Sequence, residues 1–318
     1  MKQFKLGAAV LCLMTALITT SFSQGATTQQ SQANSKLGDL LKKGDDLYKA
    51  SKFKDAIEAY REALAQDPGN DQAISYIGYS YNKLHDNEQS RIWMKKRLEL
   101  PGQTPSRKAQ ILTDITLLYW DEAHMDIAGR VAAGGKTLKP EDTLPARKLL
   151  ADGIESGQKA VAIAPRSVKA FNLLNLLYRE SAANEADSAT RDQLLTRADE
   201  ALRKSVEFFE AVPQQPSNDI WVVPTLSVIN GTGMGQGVRF GVATKKTSSD
   251  ALKDVKEGAA VIEVVVGRDG KVRLPRLLVG LGKLGDAALA AARQWEFEPT
   301  TFEGHTVQVI ETISFPVK

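Results

Sequence analysis

The sequence predicts a multidomain α+β protein, in which an all-α array of helical hairpins precedes a small domain of order ββαβ. Apolar residues recur at helical spacing from Lys36 to Phe209. The proline- and glutamine-rich stretch 212–218 interrupts that spacing. From Ala260 onward valine and isoleucine become frequent, and the spacing changes to the period of two that is typical of strands.

Length and charge narrow the functional classes. The 318 residues give room for about two domains, and 42% of them are apolar, enough for ordinary cores. Lys2 and Lys5 contribute two of the three net positive charges, and residues 1–23 contain no acid, so residues 24–318 carry +1. A nearly neutral chain offers no electrostatic basis for binding nucleic acid.

The N-terminus has the pattern of a secretory signal. Lys2 and Lys5 precede the apolar run Leu6–Ile18, and Ser21 and Ser23 are placed for cleavage before Gln24. Residues 1–23 are therefore predicted to direct export to the periplasm, with 24–35 as a polar, disordered tether. The alternative is an uncleaved anchor, which would bring membrane contact. Cleavage would remove Cys12, the only cysteine, and exclude disulfides and thiol chemistry.

A first helical hairpin is predicted between Lys36 and the stop at Asp67-Pro68-Gly69-Asn70. Small side chains allow its two helices to approach closely, and larger ones fill the seam between them. The small residues are Gly44, Ala56 and Ala63, and the larger ones are Leu40, Leu47 and Tyr60.

The hairpin resembles a tetratricopeptide repeat, whose period is 34 residues. The residues that carry the resemblance are Gly44, Ala56, Tyr60, Ala63 and Pro68, with Gly78 and Tyr81 at matching places in a second copy. The second copy departs from the pattern at Ser90, Met94 and Arg97. The resemblance implies a peptide-binding groove, for which Tyr76 and Tyr79 are candidates because they lie off the apolar seam. Packing within the repeats is the alternative role for these tyrosines.

Looser helical segments complete a predicted repeat domain over 36–211, giving about four hairpins. The predicted helices are Ala109–Ala123, Ala146–Ala164, Val168–Tyr178 and Leu194–Phe209, with Ala128–Thr143 as an inserted loop. Residues 212–257 are predicted to be a linker with short strands, and 258–318 to be the C-terminal domain.

The C-terminal domain is predicted from two strands, a helix and a last strand. The strands Ala260–Val266 and Lys271–Val279 flank Asp269-Gly270, a strong hairpin signal. The helix Asp286–Trp295 and the strand Thr306–Phe315 follow. We expect Trp295 to be buried against the sheet face that carries Ile262, Val264 and Val266.

This domain resembles the C-terminal domain of the energy transducer TonB. The resemblance rests on the ββαβ order and on Asp269, Gly270, Trp295, Phe297, Pro299 and Gly304. It implies partners among envelope proteins or peptides, including outer-membrane transporters. Three hypotheses follow: an exported, non-catalytic interaction protein, a membrane-anchored TonB-type transducer, or an enzyme with an unrecognised site.

The last strand is the predicted binding edge, because it arrives after the helix and one of its sides can remain unpaired. Gln308, Ile310 and Thr312 are the candidate residues for adding a partner strand. Glu311 interrupts the apolar face of Val309 and Ile313. It is read either as a guard against self-association or as a solvated charge.

No catalytic, cofactor-binding or metal-binding residues are predicted. Asp121-Glu122-Ala123-His124 and Gly134-Gly135-Lys136-Thr137 resemble nucleotide-site strings, but their order and spacing do not fit a phosphate loop. The glycine-dense stretch 231–237 does not fit a dinucleotide-binding turn, because a strand and not a helix is predicted after it. His85, His124 and His305 lack ligand spacing, so they are predicted to lie on solvated polar faces.

Overall fold

The computed structural model describes residues 35–134, 144–212, 223–227, 237–248, 258–280 and 282–317. The chain forms two compact units that divide between Pro101 and Gly102. The predicted α+β class is confirmed: helical hairpins come first and a small sheet domain follows. The predicted signal segment, nearly all of the tether and most of the predicted linker lie outside the described residues.

The first unit contains two helical hairpins. Its helices are α1 (35–49), α2 (Phe53–Gln66), α3 (Asp71–Lys83) and α4 (Asn87–Leu98). Side-chain caps begin two of them, because Asn70 accepts a hydrogen bond from the Ala73 amide and Asp86 accepts one from the Gln89 amide. Pro68 is exposed in the turn between the hairpins, where it prevents α2 from continuing.

The 34-residue repeat is visible in the packing as well as in the sequence. A Cβ atom at Gly44 would lie 2.5 Å from the Tyr60 ring, and one at Gly78 would lie 2.8 Å from the Met94 side chain. Each glycine thus faces the residue sixteen positions later in the next helix. The turns repeat too, since Ser51 and His85 both adopt left-handed backbone, with φ of 58° and 60°. Ala56, Ala63 and Ile77 are fully buried in the same core.

The two glycines should respond differently to alanine. The Tyr60 ring is rigid and fully buried, so Gly44→Ala should cost about 1–3 kcal/mol of unfolding free energy through overpacking. Met94 meets Gly78 with the flexible end of its side chain, so Gly78→Ala should stay within about 1 kcal/mol. Urea denaturation of both variants checks this, and equal losses would contradict the packing difference.

The second unit begins with four helices, α5 (Pro105–Gly134), α6 (Leu144–Ile163), α7 (Val168–Ala183) and α8 (Ser188–Glu210). α5 is longer than predicted, so the start of the predicted loop Ala128–Thr143 is helical, whereas residues 135–143 lie outside the described part. Gly153 and Gly157 of α6 allow close approach to Leu177 and Leu174 of α7. Among the described helices, none is both long enough and apolar enough to cross a membrane.

A four-stranded sheet follows in the same unit. Its strands are β1 (Thr225–Ser227), β4 (Gly258–Val266), β5 (Val272–Val279) and β9 (Gln308–Val317), in the order β1-β9-β4-β5. β4 pairs antiparallel with both β5 and β9, whereas β1 pairs in parallel with β9. Helix α9 (Gly282–Ala292) connects β5 to the short strands β6 (Glu296–Phe297), β7 (Thr301–Phe302) and β8 (His305–Thr306). β6 pairs with β3 (Ala243–Lys245), and β7 pairs with both β2 (Val238–Arg239) and β8.

The two faces of the sheet pack against different helices. One face, with Ile262, Val264 and Val309, joins a core that contains Ala288 of α9 and Leu202 of α8. The opposite face contributes Val265 and Ile310 to a second core. That core contains Trp120 of α5 and Leu173, Leu176 and Leu177 of α7. Helices α5–α9 therefore pack against both faces of the sheet, and this packing fixes the position of its edges.

Candidate functional site

An aromatic surface lies on the first unit and contains both groove candidates. Tyr76 stacks on the buried Tyr60 at 5.5 Å between ring centroids, and it meets Tyr48 and Tyr79 edge to face at 5.1 and 6.0 Å. Tyr48, Tyr76 and Tyr79 are half-buried, so their outer edges reach solvent. Burial, and then the neighbouring Tyr76, raise the pKa of Tyr48. Packing and exposure are thus combined in the same side chains.

Hydrogen bonds to polar side chains hold this aromatic surface in place. The Tyr60 hydroxyl donates to Asp45 at 2.6 Å, and Gln72 donates to the same carboxylate. Arg97 donates twice to Asp71, at 2.9 and 3.1 Å, and reaches the Tyr79 hydroxyl at 3.4 Å. Arg97 occupies the place of Ala63 in the second repeat, and this pair is what allows a charge to be buried there. Tyr81 accepts a hydrogen bond from Arg61 and is half-buried.

The TonB-like motif residues lie in the turns and the core of the C-terminal domain. Gly270 has φ of 76°, and a Cβ there would lie 1.9 Å from the Phe297 carbonyl oxygen, so this turn requires glycine. The Asp269 carboxylate accepts from the Lys271 amide, and Gly304 turns the chain between β7 and β8 with φ of 87°. Phe297 is buried, whereas Pro299 is exposed after β6.

Trp295 is less buried than the sequence predicts. The helix ends at Ala292, so Trp295 lies beyond it and is half-buried against Phe315 at 5.8 Å. Its indole nitrogen donates to the Thr247 carbonyl at 2.9 Å, which keeps one edge of the ring near the surface.

The predicted open edge is wrong for two of its three residues. β1 pairs with Gln308, Val309 and Ile310, and Gln308 and Ile310 are buried. β1 is held in turn by α7, because Asn172 accepts from the Thr225 amide at 2.6 Å and Asn175 donates to its carbonyl at 2.6 Å. β1, which precedes the C-terminal domain in the sequence, thus covers the beginning of the predicted edge.

Beyond Ile310 the same side of β9 has no strand partner among the described residues. The Gln308 amide donates to Pro224 on the β1 side. Because backbone groups alternate along a strand, those of Thr312 and Ser314 point to that side too. The side chains of Thr312 and Ser314 are exposed. The open edge, defined here as the β1-facing side of residues 311–315, therefore retains Thr312 and loses Gln308 and Ile310.

Glu311 lies on the apolar face of β9, between Val309 and Ile313 and opposite Val264 of β4. It is half-buried, and burial raises its pKa to about 7. No described residue forms a hydrogen bond or an ion pair with its carboxyl group. The prediction of a solvated charge near a strand end is thus wrong in degree, and among the described residues no group compensates the Glu311 carboxyl group beside the open edge.

Glu311 should make the stability depend on pH. Its pKa is about 7 in the folded chain and 4.5 in the unfolded reference, so the native state holds the extra proton between these values. The unfolding free energy should therefore contain a contribution from Glu311 that falls as the pH rises from 4.5 through 7. Glu311→Gln should remove this fall and be more stable than the wild type above pH 7. Thermal denaturation across this range checks it, with the exposed Glu298→Gln as the control.

A buried ion network connects the helices to the sheet within the second unit. The His124 ring of α5 contacts Glu180 of α7 at 2.9 Å through Nδ1, and it contacts Glu263 of β4 through Nε2. Arg276 of β5 donates to Glu263 at 2.6 Å and to Asp121 of α5 at 3.1 Å. The Trp120 ring stacks on His124 at 4.7 Å. The network joins two helices to two strands.

The charges of this network are mutually stabilised. Burial alone would lower the pKa of His124, but Glu180 and Glu263 overcome it and raise the pKa to about 10. Burial would raise the pKa of Glu263, but His124 and Arg276 lower it to about 2. His124 is only 1% exposed, so the prediction of a solvated histidine is wrong. The sequence feature that indicates a buried charge here is Glu263, a lone charged residue inside the apolar strand β4.

A cavity of about 360 Å³ lies beside the network. Trp120, Val265, Ile310, Leu274 and Pro275 form its apolar wall, and Asp121, Glu263 and Arg276 form its polar side. Asp121 and Glu263 are both paired with Arg276. Among the described residues, no group of three or more histidine, cysteine or acidic side chains has a geometry suited to a metal ion.

Comparison with known proteins identifies the C-terminal domain. The family model described as the Gram-negative bacterial TonB protein C-terminal matches residues 248–317, which confirms the predicted resemblance. No curated protein matches the sequence at a significant level.

Three solved structures illustrate what the chain is similar to. MamA has 19% identity over 57% of this chain and 100% of its own, with a TM-score of 0.29. PilF of Pseudomonas aeruginosa has 14% identity over 57% of this chain and 91% of its own, with a TM-score of 0.25. The TPR2AB domain of yeast Sti1, solved with pHSP90, has 15% identity over 56% and 90%, with a TM-score of 0.17. Residues 248–317 thus match a TonB-type C-terminal domain, and the helical hairpins of the first unit repeat their glycine contacts at a spacing of 34 residues.

Proposed function

We propose that this chain is an exported, non-catalytic protein of the bacterial envelope that binds other proteins by adding a partner strand to β9. The observation that carries this proposal is that β9 already accepts one short strand in parallel. Beyond it, the backbone groups of Thr312 and Ser314 have no strand partner among the described residues. Such groups bind extended peptides through main-chain hydrogen bonds.

β5, the outer strand on the opposite side of the sheet from β1, is less suited to this task. The pairing of β5 with β4 shifts register around Leu274, which adopts left-handed backbone with φ of 43°. Pro275 follows it and has no amide hydrogen to donate. Bulges and prolines protect edge strands from pairing, so β9 is the better recipient.

The aromatic surface of Tyr48, Tyr76 and Tyr79 supports a second contact with a peptide. Half-buried tyrosines offer large contact areas at a low cost in side-chain entropy. Export and a periplasmic location remain proposals that rest on the N-terminal pattern of Lys2, Lys5 and Leu6–Ile18. Intact-mass measurement of the chain from envelope material tests cleavage after Ser23, and a full-length, detergent-requiring species would instead favour the anchored transducer.

The binding proposal predicts that Thr312→Pro abolishes capture of envelope partners while the helices stay folded. Proline removes the outward amide of residue 312, and that amide points away from β4, so the pairing of β9 with β4 should persist. Thr312→Ala keeps the amide and should bind like the wild type. A photo-crosslinking side chain at Ser314 would report contact in the envelope.

Circular dichroism must show that both variants are folded. Capture that survives Thr312→Pro in a folded chain would contradict strand addition, and would move the binding site to the aromatic surface.

A further inference from the structure

We propose that the open edge of β9 selects partner strands that carry a lysine or arginine, and that Glu311 is the residue that recognises this cation. The inference rests on the proposed function, because it concerns the chemistry of the strand that the edge accepts. The partner is an extended segment of another protein with a basic side chain on one face.

Glu311 lies where it would meet a side chain of an added strand. Its side chain shares the face of Val309 and Ile313, and Glu311 is the first residue of β9 after the described pairing with β1 ends at Ile310. A strand added alongside residues 311–315 would place one of its side chains directly beside Glu311, with Cβ atoms about 4.5–5.5 Å apart. Lysine and arginine are long enough to reach a carboxylate from there.

The Glu311 carboxyl group has no partner among the described residues, and this favours a cation from the added strand. Glu311 is half-buried on an apolar face, and no described residue pairs with its carboxyl group. A buried carboxylate is costly unless a partner satisfies it, so a cation that arrives with the added strand would gain a charge-assisted hydrogen bond. By contrast, the buried carboxylates Glu180 and Glu263 are already paired with His124. With respect to the described part of the chain, the Glu311 carboxyl group is thus available to a partner, whereas those of Glu180 and Glu263 are not.

The same charge argues against a second copy of this chain as the occupant. A charged side chain on the apolar face of an edge strand discourages pairing between like edges. Antiparallel association of two β9 edges centred near residue 311 would bring two carboxyl groups together. A basic partner removes this repulsion, so charge complementarity favours a different protein.

Three peptides test the inference. Each is a blocked nine-residue strand of alternating Thr and Val with a single central Lys, Met or Glu. Binding to the full chain would be measured by fluorescence anisotropy at low salt, for the wild type and for Glu311→Gln. We expect the Lys peptide to bind the wild type about tenfold more tightly than the Met peptide, and the Glu peptide to bind most weakly. Glu311→Gln should remove these differences in affinity among the three peptides.

The outcomes separate the inference from the proposed function. Equal binding of the Lys and Met peptides that Thr312→Pro abolishes would overturn the role of Glu311 and leave strand addition standing. A Lys preference that persists in Glu311→Gln would also overturn it, because another acid would then be responsible. Failure of all three peptides to bind would overturn both proposals, as would binding that Thr312→Pro does not change.

Discussion

Replacing His124 with alanine should lower the unfolding free energy by about 3–5 kcal/mol, because it leaves Glu180 and Glu263 buried without their shared cation. His124 is also stacked on Trp120, so packing is lost together with charge. Denaturation of the full chain, followed by the fluorescence of the adjacent Trp120 and the other tryptophans, measures the loss.

The matched control is His305→Ala, which removes a histidine that contacts Glu210 at 2.8 Å where both side chains are more than 40% exposed. An exposed pair contributes about 1 kcal/mol or less. Equal losses in the two variants would contradict the description of a buried network that joins helices to sheet.

The cost of His124→Ala should also depend on pH in a defined direction. The pKa of His124 is raised from 6.5 to about 10, so its contribution is complete below pH 6.5 and disappears as the pH rises through 10. The pKa of Glu263 is lowered from 4.5 to about 2, so its contribution is complete above pH 4.5 and disappears as the pH falls through 2. The network therefore stabilises the fold most between pH 4.5 and 6.5.

Tyr60→Ala should cost about 3–5 kcal/mol in the first unit, since the ring is fully buried between Gly44 and Tyr76. Tyr60→Phe keeps the ring and loses only the hydrogen bond to Asp45, so it should cost about 1 kcal/mol. Burial, and then Asp45, raise the pKa of Tyr60, so this bond stays intact at ordinary pH.

Hydrogen exchange places the Tyr60 effect in the chain. Tyr60→Ala should increase exchange of the helical amides in residues 35–98 more strongly than Tyr60→Phe does. Similar exchange in the two variants would mean that the ring does not organise the hairpin packing.

The parts of the fold that could be predicted from the sequence are those set by short-range pattern. Gly44 and Tyr60 lie in neighbouring helices of one hairpin, so the repeat predicts their contact. The turn at Asp269 and Gly270 is likewise local. The left-handed backbone of Gly270 is set within the four residues of the turn, so the Asp-Gly pair is enough to predict it.

The ion network and β1 could not be predicted in this way. His124 meets Glu180 and Glu263 across separations of 56 and 139 residues, and no periodicity reports such a contact. β1 has three residues, too few for a period of two to be recognised. Its position depends on Asn172 and Asn175, which look like ordinary polar residues of a helix. The predicted edge failed at Gln308 and Ile310 for this reason.

Residue-resolved hydrogen exchange of the full chain tests the open edge of β9 most directly. The amides of Glu311 and Ile313 point toward β4 and should be strongly protected, because they lie in the continuous antiparallel ladder. The amides of Thr312 and Ser314 point to the side that has no described strand partner, and they should exchange much faster in the free chain. Protection of Thr312 and Ser314 equal to that of Ile313 would show that the chain already covers this edge, and would contradict strand addition there.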